Sequence, residues 1–239
     1  MSRAIGTVTT ASATEAAIEA TTYTEPTTPA TTSRALVSSS ANDTAAGTGA
    51  RQVRVTYYAL DSSGNITGPF VEVVTLNGAT AVPTISQTMT LIEKMEIVAV
   101  GSGGVAAGII KMTVDAAGAG ATIGSIAAGA RQTLWAHHYV ASKRQCRVSD
   151  FVVTGGDTTL SQFSLRALAY PTPPGGELEL TGIVGATNAQ PSPREVAYSQ
   201  PPLIIGPARV RAYVTPAIGT STTNSASFGF TDTWTGFGS

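Results

Sequence analysis

Charge is what this sequence has least of. Asp, Glu, Lys and Arg make up 12% of its 239 residues and sum to a formal net charge of −1, where about a quarter is usual for a globular domain. A surface so poor in charge has little self-repulsion and suits contact with other protein. No basic excess is present to hold a nucleic-acid backbone, so direct nucleic-acid binding is not expected. The single cysteine, Cys146, excludes an internal disulfide and with it the disulfide-stapled secreted scaffold. The longest apolar stretches, such as 95–100, are far too short for a helix that spans a bilayer, and no membrane partner is expected. Residues 1–20 lack the unbroken apolar run of a signal peptide, which predicts a protein made in the cytoplasm and not exported by the standard route.

Thr, Ser and Asn supply the polarity instead, alongside 25 Gly and 13 Pro. Thr favours strands, whereas Gly and Pro make turns. Residues 52–60 (QVRVTYYAL) alternate, with Val53, Val55, Tyr57 and Ala59 on one face. The turn at 61–65 and a return at 70–76 (FVEVVTL) predict a hairpin. Further strands are expected at 88–100, 108–114, 132–140, 146–154, 161–170, 177–184, 209–214 and 225–234, with a Pro-studded loop over 186–202. Strands this short, at this spacing and without a convincing helix, predict an all-β chain of one or two antiparallel β-sandwich or jelly-roll-like modules. The Gly/Ala-rich stretch 115–129 is the natural boundary or crossover, giving modules over 35–118 and 119–239. Residues 1–34 are Thr- and Ala-rich, with one weak helical window over 12–20 and extended chain enforced by Pro26 and Pro29. Too few large apolar side chains are present for this segment to fold alone. It is expected to be an extended N-terminal arm, mobile in the isolated protein, with Ile5, Val8 and Ile18 as anchors on an adjacent subunit.

The residues capable of chemistry do not assemble into a motif. His137 and His138 are the only histidines, and neighbours on a strand point to opposite faces. One metal ion therefore cannot take both. Cys146 and Asp150 would complete a Cys/His/Asp set, but no nucleophile-elbow glycines surround the cysteine. Asp61–Asn65 lacks the spaced acids and closing Glu of a calcium loop and reads as a turn. The Gly-rich run 101–104 lacks the Lys and following helix of a phosphate cradle. Glu177 and Glu179 read as a solvent-facing pair, and Lys143, Arg144 and Arg147 as a solvated turn or a subunit contact. Arg209 and Arg211 alternate as an interface stripe would. Phe228, Phe230 and Trp234 share a strand face, to be used in a core or, in an attachment module, for stacking on sugar. No catalytic, cofactor-binding or metal-binding residue is assigned on this reading, no cofactor is expected, and the chain reads as non-enzymatic.

Three segments carry a resemblance. They are SSSANDTAAGTGAR over 38–51, VTLNGATAV over 74–82 and GSGGVAAG over 101–108. In this succession the chain resembles uncharacterised virion structural proteins of tailed, particularly short-tailed, bacteriophages. The resemblance spans roughly residues 36–113 and fits the second half more loosely. It implies a virion location, copies of itself and other virion proteins as partners, and no active site to carry over. A place in the tail, neck or fibre-attachment region is the leading implication. Capsid decoration and carbohydrate-binding host attachment are the alternatives.

Overall fold

The computed structural model describes residues 2–10, 15–21, 23–26, 28–155, 161–170, 177–186, 194–215 and 222–234. Among them the chain forms seventeen strands and no helix. The first two are β1 (Ser2–Thr10) and β2 (Ala16–Ala17). Next come β3 (Ala35–Ser38), β4 (Ala50–Leu60), β5 (Ile66–Thr75), β6 (Val82–Pro83), β7 (Leu91–Val100), β8 (Ile110–Thr113) and β9 (Thr122–Ile126). The last group is β10 (His137–Val140), β11 (Arg144–Thr154), β12 (Ser161–Ala169), β13 (Glu177–Ala186), β14 (Arg194–Ala197), β15 (Leu203–Ile205), β16 (Ala208–Thr215) and β17 (Thr222–Trp234). Every pairing between these strands is antiparallel. The fold is all-β, as composition and alternation indicate.

The chain divides into two compact units, Thr21–Thr133 and a second made of Met1–Ala20 with Leu134–Ser239. This division differs from an arm followed by modules over 35–118 and 119–239. Residues 115–129, expected as a boundary, instead contain β9, which pairs with β8 inside the first unit. Ile123 and Ile126 fix it there, both buried.

In the unit Thr21–Thr133, one sheet runs β6-β3-β8-β9 and the other β5-β4-β7. Leu36, Ile110, Met112 and Ile126 from the first sheet are fully buried, as are Val53, Val55, Leu91, Ile92 and Met95 from the second. The alternation expected along β4 holds through Val53, Val55 and Tyr57 and then changes phase. A register shift between Tyr57 and Ala59 places an extra residue in β5, and along β4 at this point Tyr58 and Leu60 are buried and Ala59 is not.

In the other unit, β1-β17-β11 form one sheet, with β15 and β14 one after the other along the far edge of β11. The second sheet is β10-β16-β12-β13, and β2 continues the line of β10 beside β16. Between them lies a core that includes Val148, Phe151, Phe228, Phe163, Leu165, Val210 and Val214. β14 lies within the loop expected over 186–202, and residues 187–193 of that loop are outside the described residues.

The N-terminal arm is resolved as part of this architecture. All nine residues of β1 pair with Thr222–Phe230 of β17, so the chain's own last strand takes the place expected of a neighbouring subunit. Small side chains make the approach possible. A Cβ on Gly6 would collide with the Ala136 nitrogen and the Ile18 oxygen. Of the expected anchors, Ile18 is fully buried in the core and Val8 packs against it, while Ile5 stays 45% exposed. No helix forms in the described part of the 12–20 window, because Ala16 and Ala17 pair with Val214 and Tyr213. Residues 21–34 belong to the other unit. There the Tyr23 hydroxyl accepts from the Ile92 N–H, and the buried Arg34 donates to the Met89 and Val114 carbonyls.

Candidate functional site

The three segments that carry the sequence resemblance converge on one residue. Asp43 is fully buried. Its Oδ1 accepts from the Ala50 and Ala107 N–H groups at 2.7 and 2.9 Å. Its Oδ2 accepts from the Ser38 hydroxyl and the Gly108 N–H at 2.6 and 2.9 Å. The Asp43 carbonyl takes the Gly78 N–H, and the Gly78 carbonyl takes the Ser38 N–H. Segments 38–51, 74–82 and 101–108 are therefore a loop hub at Asp43, whose carboxylate holds the first and third and whose backbone carbonyl holds the second.

The Gly-rich run belongs to the same hub. The N–H groups of Gly101 and Gly103 donate to Gly49 and Thr48, and that of Gly104 donates to Gly101. These donors are used inside the protein and cradle no phosphate. Gly101 is required by close approach, since a Cβ there would strike the Gly47 carbonyl.

Burial alone would raise the Asp43 pKa, but the Ser38, Ala107, Gly108 and Ala50 donors more than offset it and hold it below the ordinary value. A second buried carboxylate, Glu19 in the other unit, behaves alike. Burial opposes its ionisation, and His137 and Arg211 outweigh burial, so its pKa is also lowered. A carboxyl whose folded pKa is depressed adds stability above its unfolded pKa and loses it as pH falls through the folded one. Thermal midpoints should therefore be flat near neutrality and decline below about pH 4. Calorimetry over pH 2.5–7 checks this. Asp43→Asn should lower the midpoint at neutral pH and flatten the acid limb of its unit.

His137 and His138 do face opposite ways. On the outer side of its sheet, His137 Nδ1 lies 3.2 Å from Glu19 Oε1, and Arg211 donates to Glu19 Oε2 at 2.7 Å. Trp135 and Tyr139 rings flank the imidazole. Arg211 thus holds the N-terminal segment, aided by Arg166, which pairs with Glu15. Arg209 is buried at 5% exposure. The arginine pair expected to form an interface stripe is engaged inside the protein.

His138 points into the core, where its Nε2 lies 3.0 Å from both carboxylate oxygens of Asp232. Phe230 stacks on the ring at 3.7 Å between centroids. Cys146 sits directly across from Asp232 in the β11–β17 register. The Cys146 sulfur, a His138 ring nitrogen and an Asp232 oxygen all lie within 4.8 Å of one another. Asp150, which would have completed a Cys/His/Asp set, is elsewhere. A bulge between Val148 and Asp150 reverses the phase of β11, so Phe151 and Val153 turn inward. Asp150 pairs with Arg3 and accepts from the Ser149 hydroxyl. Burial, first, and the nearby Asp232 push the Cys146 thiol pKa up, so the sulfur stays protonated.

The remaining candidates are dispersed. Asp61 accepts from the Ser63 and Asn65 N–H groups and from the Asn65 side chain, closing the β4–β5 hairpin. Lys143 occupies a turn at φ 61°. Arg144 lies over the Trp234 ring at 4.5 Å, and Arg147 reaches the Pro201 carbonyl. These three do not form one basic patch. Glu177 and Glu179 sit on β13 opposite Leu168 and Arg166. Phe228 and Phe230 are core residues, whereas Trp234 is 68% exposed.

The exposed apolar side chains are concentrated on strand edges. Among the described residues β5 pairs with β4 alone, leaving its other edge open. Val71 and Val73 project from one face of this strand at 60% and 49% exposure, and Phe70 from the other at 44%. Ile85, next to the Glu72 carboxylate that accepts its N–H, is 89% exposed. On β15, Leu203 and Ile205 are exposed on either side of the buried Ile204.

Comparison with known proteins returns no matching family model and no matching curated protein. Among solved structures, the chain aligns with one from infectious bursal disease virus strain Gx at 8% identity and a TM-score of 0.27, covering 98% of this chain and 71% of that one. A second, from the Gt strain, gives 10% identity and a TM-score of 0.23, covering 97% and 70%. Likenesses this slight carry no argument about this chain.

Proposed function

We propose that this chain is a non-enzymatic virion structural protein of a tailed bacteriophage, in the tail, neck or fibre-attachment region, that works by associating with copies of itself and with other virion proteins. The observation that carries this reading is the open edge of β5. It offers unpaired backbone donors and acceptors flanked by Phe70, Val71 and Val73, and the bulge and Pro69 that guard its start lie before this stretch, which holds no lysine. Strand addition along such an edge gains main-chain hydrogen bonds and buries apolar side chains together. The low charge of the chain favours the same contact. The segments that suggest the phage family are the ones gathered at Asp43, next to the start of β4. The buried, protonated Cys146 supports the non-enzymatic part. Trp234 has one ring face covered by Arg144, which supports a packing role over a sugar-stacking one.

Replacing Val71 and Val73 together by lysine tests the proposal. Both side chains face solvent, so folding should be retained to within about 1 kcal/mol. Self-association measured by sedimentation should weaken at least about 10-fold, the equivalent of about 1.4 kcal/mol. Undiminished association of the double variant would remove β5 as the contact.

A further inference from the structure

We infer that His138, Cys146 and Asp232 form a binding site for a borderline-soft divalent metal ion, with Zn2+ as the best match. The three donors are one imidazole nitrogen, one thiol sulfur and one carboxylate oxygen, mutually within 4.8 Å. Zinc takes such mixed N, S and O donors in a tetrahedron with metal–ligand distances of about 2.0–2.3 Å. Those distances put neighbouring ligands about 3.3–3.7 Å apart, so closing the trio onto an ion needs only small side-chain shifts. The sulfur ligand disfavours Mg2+ and Ca2+, which prefer all-oxygen shells.

The setting is built for one geometry. Cys146 and Asp232 are fixed opposite each other by the β11–β17 ladder. His138 comes from β10 in the facing sheet, and Phe230 stacked on it limits ring rotation. His138 and Cys146 are 2% and 0% exposed, while the Asp232 side chain retains 17%. Water therefore has access only on the Asp232 side, where it supplies the fourth ligand. Binding replaces the S–H bond of Cys146 by an S–metal bond and releases that proton to solvent. The neutral His138 ring offers the ion its unprotonated nitrogen, so no proton leaves the imidazole. The bound ion, facing one thiolate and one carboxylate, leaves no net charge in the core. It also ties the two sheets of the sandwich together across its core, as neither sheet's own hydrogen bonds do.

The test uses the full chain, refolded at pH 8 with Co2+ as a spectroscopic probe and, separately, with Zn2+. The expected result is one Co2+ per chain with an intense near-ultraviolet thiolate-to-cobalt band, displaced by Zn2+. At 100-fold excess over its dissociation constant, Zn2+ should raise the thermal midpoint by at least about 5 °C. Asp232→Asn, which keeps the thiol and much of the hydrogen bonding, should weaken Co2+ binding at least about 10-fold. Cys146→Ser should lose the band while keeping its fold. If Cys146→Ser fails to fold, the wild-type spectrum and the Asp232→Asn titration decide. Absence of the cobalt band in the wild-type chain, or an equal midpoint rise in wild type and Asp232→Asn, would show a hydrogen-bonded trio only and overturn the site.

Discussion

Deleting residues 1–20 should unfold the unit that contains the C-terminal half of the chain. The deletion removes β1, which pairs with nine residues of β17 on the edge away from β11. It takes the fully buried Ile18 out of the core, which by itself costs about 2–5 kcal/mol if the space cannot close. It also strips Glu19 from His137 and Arg211, leaving a buried imidazole and a guanidinium without their carboxylate. A unit of this size has only about 5–15 kcal/mol of net stability to lose. Hydrogen exchange is the measurement of choice because it reads each strand. Amides of β11, β16 and β17 should lose their slow exchange, whereas those of β4 and β7, in the other unit, should keep it. An arm that served only as a tether would leave both sets unchanged.

Asp43→Ala should do the reverse. The substitution leaves three N–H groups and the Ser38 hydroxyl without their acceptor in a fully buried place. Each orphaned donor costs about 1–3 kcal/mol, less where water enters the new space, so a loss of about 3–5 kcal/mol is expected for the unit Thr21–Thr133. Exchange should rise in β3, β4 and β8, with β11 and β17 unaffected. Asp43→Asn is the informative companion. It keeps the volume but turns an NH2 toward donors, so it should recover only a minor part of the loss. Recovery to wild-type stability would mean that shape, not the carboxylate, organises the hub.

The sequence made the strands legible wherever one face alone is buried. β4, β11 and β16 announce themselves by alternation, and the hairpin at Asp61 by its turn residues. Two bulges were not legible. The shift after Val148 puts an extra residue in β11 and the one after Tyr57 puts it in β5, and past each point the inward and outward sets of β11 and β4 change places. That exchange is why Tyr58 is buried where Ala59 was expected, and why Asp150 leaves the neighbourhood of Cys146. A bulge depends on the partner strand, which composition does not reveal. Pairing at long range was equally hidden. Arg3 meets Ser227 across a separation of 224 residues, and nothing local in a Thr/Ala-rich strand says which edge it will cover.

Asp232 was missed for a different reason. It is in phase with Phe228 and Phe230, both buried, and a carboxylate at an inward position of an aromatic strand is a signal that a buried partner exists. That signal was present in the sequence, but only the fold shows that Cys146 and His138 are the partners. The Asp43 hub shows the same limit. Its three segments stand out as a succession in the chain, yet their common purpose appears only when the loops are brought together around one residue.

We propose that the chain builds a particle by contacts between folded β units. Image reconstruction of intact particles at a resolution that traces strands tests it most directly. The expected result is symmetry-related copies of this chain in the tail, neck or fibre-attachment region, with β5 of each copy covered by a strand or loop of a neighbour and β1 paired with β17 of its own chain. Particles that lack the chain, or copies whose β5 edge faces open solvent throughout, would contradict it.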